Sequence, residues 1–166
     1  MALELALVRH GEATGGRAGI KDIDRTLTFN GIVGSLQVAS KLLQEGFNPD
    51  AIYTSPAARA MHTSLIFTRT LEKKSSLIQI SDDLYYGSSD SINEWITETL
   101  TGVKSIILFG HNPGVTDVVA TLSQGRSSFM PPAGVAWFTF DTDSWSNIRK
   151  ANLAAFRFFA PSGGGE

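Results

Sequence analysis

Leu3-Glu4-Leu5-Ala6-Leu7-Val8-Arg9-His10-Gly11-Glu12 is the stretch on which the fold turns. Its apolar centre, Leu5 to Val8, has strand length and stops at a cation, an imidazole and a glycine. A buried strand with that ending carries polar chemistry to the rim of a sheet. In open α/β sheets, ligands collect at the carboxyl ends of such strands. Gly11 is expected to let the backbone turn tightly past the strand, so that His10 stands clear of it.

The composition narrows what surrounds this strand. A chain of 166 residues fits one domain, expected over residues 1–161 with a flexible tail over 162–166. A net charge of −2 argues against a nucleic-acid partner, because counterion-driven binding needs a basic face. There are no cysteines, so disulfide and thiolate chemistry are excluded. No apolar run approaches the ~18 residues of a membrane span. Glu4 interrupts the first apolar stretch and no basic segment precedes it, unlike a signal peptide. The expected location is the cytoplasm.

Working outward, the glycine-rich segment Ala13 to Gly19 and the polar run Lys21 to Arg25 predict a surface loop. Thr28 offers an N-cap, and Ile32, Leu36, Ala39 and Leu43 recur at helical spacing up to Gly46. Asp50 to Thr54 predicts a short strand. Ser55 then reads as an N-cap with Pro56 at the first helical position. The helix that follows should run to about Leu71 with Ala57, Met61, Leu65 and Thr68 on its inner stripe and Arg59 off it.

Leu77 to Ile80 predicts another strand, and Ser81 to Asp90 no regular element. Ser91 with Glu94 has capping-box spacing for a helix through Ile92, Trp95, Ile96 and Leu100. Ser105 to Phe109 is a continuous apolar run, as in a strand covered on both faces. It leads into Gly110-His111-Asn112-Pro113-Gly114 and a helix from Val115 to Leu122. Val135 to Phe140 and Leu153 to Ala160 predict an antiparallel pair, with Phe156, Phe158 and Phe159 in the core. The alternation of strands and helices predicts an α/β protein with a largely parallel, mixed sheet and helices on both faces.

Two predicted strands therefore end in histidine, at His10 and His111. Asn112 and Pro113 start the next helix, so His111 sits at a helix N-terminus, where free N–H groups favour an anion. Arg59 stands near the start of a helix that also follows a strand. If the three strands are neighbours, Arg9, His10, Arg59 and His111 converge on one cationic pocket. Guanidinium forks match phosphoryl oxygens, and a neutral imidazole flanked by arginines is a nucleophile toward phosphorus. Taken alone, Arg59 would be an ordinary solvated charge and either histidine a structural one. Their shared rim favours the pocket. Arg25 either reaches it from its loop or stays solvated, and His62, one turn beyond Arg59, reads as structural or supporting. Gly11 and Gly16 imitate the spacing of a nucleotide-binding loop, but Arg17 and Ala18 replace its Lys and Ser/Thr.

Leu7-Val8-Arg9-His10-Gly11-Glu12, Ser55-Pro56-Ala57-Ala58-Arg59-Ala60 and Gly110-His111-Asn112-Pro113 resemble the signature segments of the histidine phosphatase superfamily. Asp24-Arg25-Thr26-Leu27-Thr28 with Gly31, and the short chain, are similar to its SixA-type phosphohistidine phosphatase branch. Thr26 departs from that branch, which commonly has proline there, and His62 replaces a frequent glutamine. The resemblance implies a phosphoglycerate-mutase-like three-layer α/β/α sandwich. It implies His10 as the phosphorylated nucleophile, and Arg9, Arg59 and His111 as the phosphate pocket. Arg25 and Asn112 would be substrate contacts, and no cofactor or metal is implied. The partner would be a phosphorylated protein of a phosphorelay or a small phosphate ester.

A general acid is harder to place. Asp82, Asp83 and Asp90 lie where larger relatives keep theirs, and Glu12 is nearer the nucleophile, but none sits in a motif. An alkoxide is strongly basic (bulk water has a pKa of about 15.7) and needs a proton as it departs. Imidazole, with a conjugate-acid pKa of about 6.5, departs far more easily. A pocket without a placed acid suits phosphohistidine.

Overall fold

The computed structural model describes residues 2–163. A six-stranded sheet is built from β1 (Leu3–Arg9), β2 (Ala51–Thr54), β3 (Ile78–Ile80), β4 (Ser105–Gly110), β5 (Val135–Asp141) and β6 (Asn152–Phe159), in the order β3-β2-β4-β1-β5-β6. The first four strands in that order run parallel. β5 pairs antiparallel with β1, and β6 antiparallel with β5. The helices are α1 (Phe29–Gln44), α2 (Ala58–Thr70), α3 (Asp83–Tyr86), α4 (Ser89–Thr99) and α5 (Gly114–Leu122).

The apolar strands explain the three layers. In β1, Leu3, Leu5 and Leu7 pack into one core with residues of α4 and α5, while Ala6 and Val8 pack into the other with α1 and α2. β4 divides likewise, Ile106 and Leu108 to one side and Ile107 and Phe109 to the other. A strand apolar at every position must be covered twice, and these are.

Several local readings are corrected by packing. The inner face of α1 is Gly31, Gly34, Ser35, Val38, Ala39 and Leu42, while Leu36 and Leu43 of the expected stripe are exposed. Each exposed leucine forgoes part of the ~1.5–3 kcal/mol that full burial supplies. Small residues win because α1 lies directly on the loop after β1. A Cβ on Gly31 would stand 2.1 Å from the Glu12 carbonyl oxygen, and one on Gly11 would stand 2.8 Å from the Gly31 oxygen. Gly11 thus serves close backbone approach, and it is not among the residues with positive φ. Thr28 caps α1 as expected, its hydroxyl accepting from the Gly31 N–H at 3.0 Å.

On α2 the buried face is Arg59, Ala60, Thr63, Ser64, Phe67 and Thr68, and Met61 is exposed. The helix begins three residues after Ser55, whose hydroxyl accepts from the Ala57 N–H at 3.1 Å, as a cap does, and also bonds His111 Nε2 in the site. Ser88, not Ser91, caps α4, accepting from the Ser91 N–H at 3.2 Å. The segment 81–90 holds α3 and the start of α4 rather than a loop alone. Phe158 is exposed and Phe156 and Phe159 are only partly buried, because β6 is the sheet edge. The last three residues of the expected tail lie outside the described residues.

Candidate active site

β1, β2 and β4 end level with one another. Phe109 pairs with Val8 on one side and with Thr54 on the other. The residues that follow therefore emerge together: Arg9 and His10, Ser55, and Gly110 and His111. Two backbone bonds extend the ladders past this point. The His10 N–H donates to the Gly110 carbonyl at 3.1 Å, and the Ser55 N–H to the Phe109 carbonyl at 3.2 Å. The His10 and His111 rings consequently meet, with centroids 5.0 Å apart.

His10 has a defined tautomer. Its Nδ1 lies 2.7 Å from the Gly11 carbonyl oxygen. A carbonyl can only accept, so Nδ1 carries the proton and Nε2 of the neutral ring keeps its lone pair. Burial pushes the His10 pKa down to about 4, assisted by the charges of Arg59, Arg9 and Arg25 and opposed by the bond to Gly11. His111 Nε2 shares a 2.7 Å hydrogen bond with Ser55 Oγ. Its pKa falls to about 3, through burial first and then the neighbouring His10 and Arg59.

Both rings are therefore neutral at pH 7. The unfolded chain takes up their protons near pH 6.5, so these groups make the native state lose stability as pH falls from about 6.5 toward 4 for His10 and toward 3 for His111. An NMR titration of the His10 ring is expected to show its midpoint near pH 4. A midpoint at the ordinary value would mean that the ring is neither desolvated nor faced by the three arginines.

Arg59 is 6% exposed. Its Nη1 donates to the Asp22 backbone oxygen at 2.7 Å and its Nη2 to Asp22 Oδ2 at 3.0 Å. Arg9 Nη1 donates to the Met130 carbonyl at 3.0 Å, and its guanidinium carbon lies 5.9 Å from the Phe129 ring centroid. The Nε–H groups of both arginines are buried and without a partner among the described residues. Buried donors ordinarily find acceptors, and an anion beside the two histidines would supply them.

The remaining expected residues fall at different distances from this centre. Arg25 donates from Nε to the Thr14 carbonyl at 2.6 Å and from Nη1 to Asp22 Oδ1 at 3.0 Å, and its charge still acts on His10. Asn112 holds the frame: its Oδ1 accepts from the Thr116 N–H and hydroxyl, and its Nδ2 donates to the Met130 carbonyl. Arg9 and Asn112 thus share the Met130 oxygen. His62 is exposed on α2. Asp82, Asp83 and Asp90 are exposed, and Glu12 accepts from the Thr28 hydroxyl at 2.7 Å.

The carboxylate that does touch the arginines is Asp22, which the sequence reasoning missed. It joins Arg25, Arg59 and the Tyr85 hydroxyl, and the Tyr85 ring lies edge-on to His111 at 5.4 Å. The Tyr85 hydroxyl, then the donors of Arg25 and Arg59, hold the Asp22 carboxyl well below the usual range, so it is ionised. Asp22 lies 37 residues from Arg59 and 63 from Tyr85, and no spacing rule reaches that far. Among the described residues, no group of three His, Asp or Glu side chains gathers as metal ligands would.

Known proteins share this arrangement of strands. A protein of Agrobacterium tumefaciens assigned as the phosphohistidine phosphatase SixA is similar with a TM-score of 0.80 and 25% identity, over 96% of this chain and 98% of that one. A structure of the protein histidine phosphatase SixA complexed with tungstate gives 0.75 and 24%, over 93% and 96%. A phosphoserine phosphatase of Entamoeba histolytica in complex with phosphoserine gives 0.60 and 18%, over 92% and 95%. Among curated proteins none matches the chain. Residues 5–94, which include Arg9, His10, Arg25 and Arg59 and stop short of His111, match the histidine phosphatase superfamily (branch 1), and the chain belongs to that superfamily.

Proposed function

We infer that the protein removes a phosphoryl group from a phosphohistidine side chain of another protein, through a phosphorylated His10. The observation that carries this is the His10 ring itself, neutral, with Nδ1 bonded to the Gly11 carbonyl and Nε2 free to attack. Nε2 forms a bond to phosphorus as the P–N bond of the substrate's ring breaks; that ring carries a proton on its distal nitrogen and leaves as neutral imidazole. Water then attacks the phosphorus of phospho-His10, releasing inorganic phosphate and restoring the ring. Arg9 and Arg59 offer their unpartnered Nε–H groups to the equatorial oxygens as charge grows on them. If the Ser55 hydroxyl donates to His111 Nε2, the His111 proton lies on Nδ1, available as a further donor.

The leaving group follows from Asp22. The carboxylate at the arginines is ionised and committed to three donors, so it has no proton to give an alkoxide. A phosphohistidine ring protonated from solvent on its distal nitrogen leaves as neutral imidazole and needs no acid from the site. A protein partner is supported by the aromatic side chains attached to the site's own residues. Phe129 lies under the Arg9 guanidinium and is 59% exposed; Tyr86 packs on Tyr85 and is 85% exposed. Together with the SixA-like fold, this favours a phosphorelay protein as substrate, in the cytoplasm.

The test is a panel of a phosphohistidine protein, a phosphohistidine peptide and a sugar phosphate. Release of phosphate should be fastest from the two phosphohistidine substrates, by orders of magnitude. A sugar phosphate that outruns them to the same degree would transfer the protein to the small phosphomonoesterases.

A further inference from the structure

We propose that Asp22 is a specificity-determining residue, whose carboxylate bars substrates carrying a second negative group beside the phosphoryl group. The proposal deepens the phosphoryl-binding assignment of Arg59 and rests on it. Arg59 is buried on α2, yet both of its Nη groups are spoken for by Asp22, one by the backbone oxygen and one by the carboxylate. Its Nε remains unpartnered, so the Asp22 contacts leave that edge of the fork for the phosphoryl oxygens. The carboxylate therefore sits one guanidinium away from the bound phosphorus.

That placement has an electrostatic consequence. Arg9, Arg25 and Arg59 bring three positive charges to the site, and ionised Asp22 cancels one of them beside Arg59. The Asp22 carboxylate is also 55% exposed, so it faces whatever lies next to the phosphoryl group at the mouth. A carboxylate on the substrate would meet a like charge already satisfied by three donors. A neutral imidazole carrying the phosphoryl group meets no such opposition. Tyr85 bonds the carboxylate from the α3 side and lies edge-on to His111, which ties the carboxylate to the pocket.

The experiment compares 3-phosphoglycerate with glycerol 3-phosphate, which share a primary alkoxide leaving group and differ by a carboxylate. Their kcat/KM values, or their inhibition constants against a phosphohistidine peptide where turnover is too slow, give a selectivity ratio that is independent of leaving-group chemistry. Asp22→Asn is expected to raise that ratio in favour of 3-phosphoglycerate by about tenfold, as removal of one nearby charge should. Asp22→Glu, which restores the charge, should return it toward wild type. The Asp22 backbone bond to Arg59 survives both changes, and a thermal melt confirms the fold. A ratio that stays within twofold of wild type in Asp22→Asn overturns the proposal, whether or not both rates fall together. The phosphohistidine assignment is judged separately, by the wild-type panel, because an enzyme that prefers esters would still show the Asp22-dependent shift.

Discussion

Replacing His10 with alanine is expected to abolish turnover and to leave a folded protein. Removing the nucleophile of a covalent mechanism costs on the order of 10⁴–10⁶ in kcat, because no other group can stand in for it. His10 is well placed for that role and poorly placed as a structural support. Its ring makes one hydrogen bond, to the carbonyl of its own neighbour, and its position is fixed by backbone pairing to Gly110, which alanine retains. The measurement is phosphate release from a phosphohistidine peptide, paired with rapid-quench detection of acid-labile phosphate on the protein. Wild type should accumulate a label that acid removes and alkali spares, and His10→Ala should accumulate none. Turnover at the wild-type rate in the variant would remove His10 from the mechanism. A wild-type protein that binds phosphate and never becomes labelled would be a phosphate-binding module rather than an enzyme.

The sheet and the histidine pair were legible because they depend on local signals. Each strand that builds the rim is a mostly apolar run cut off by Arg-His-Gly, Ser-Pro or Gly-His-Asn-Pro, and a parallel sheet sets such endings side by side. The phase of the helices was not legible. Hydrophobic spacing on α1 pointed to Leu36 and Leu43, whereas the buried face follows Gly31, Gly34 and Ser35. Periodicity weighs apolar area and cannot register a backbone approach of the kind made by Glu12 on Gly31. Arg59 shows the same limit from the other side. A charged residue is expected to face solvent, yet here it lies on the inner face of α2, where an aspartate from a distant loop meets it. Ser55 looked like a helix cap by local rules and does accept from the Ala57 N–H, but its second bond, to His111, is a contact between two strand ends. What escaped the sequence were the contacts of Asp22 with Arg59 and Tyr85 and of Ser55 with His111, each between residues far apart in the chain.

Arg59→Ala is expected to lower kcat by two to three orders of magnitude, the usual loss when one preorganised donor to developing charge is removed. The loss should fall mainly on kcat, since on the proposed mechanism Arg9 still offers its unpartnered Nε–H to the phosphoryl group in the ground state. The fold should survive. The residue is buried, but its ion-pair partner Asp22 is 55% exposed and is rehydrated when the guanidinium is lost. Asp22 also keeps Arg25 and Tyr85. Arg59→Lys separates charge from shape: it restores a cation near His10 but not the planar fork, which binds Asp22 through two Nη groups while turning Nε elsewhere. The lysine variant should therefore recover little of the lost rate. Full recovery by lysine would show that Arg59 supplies charge alone, and wild-type rates in Arg59→Ala would exclude it from the phosphoryl pocket altogether.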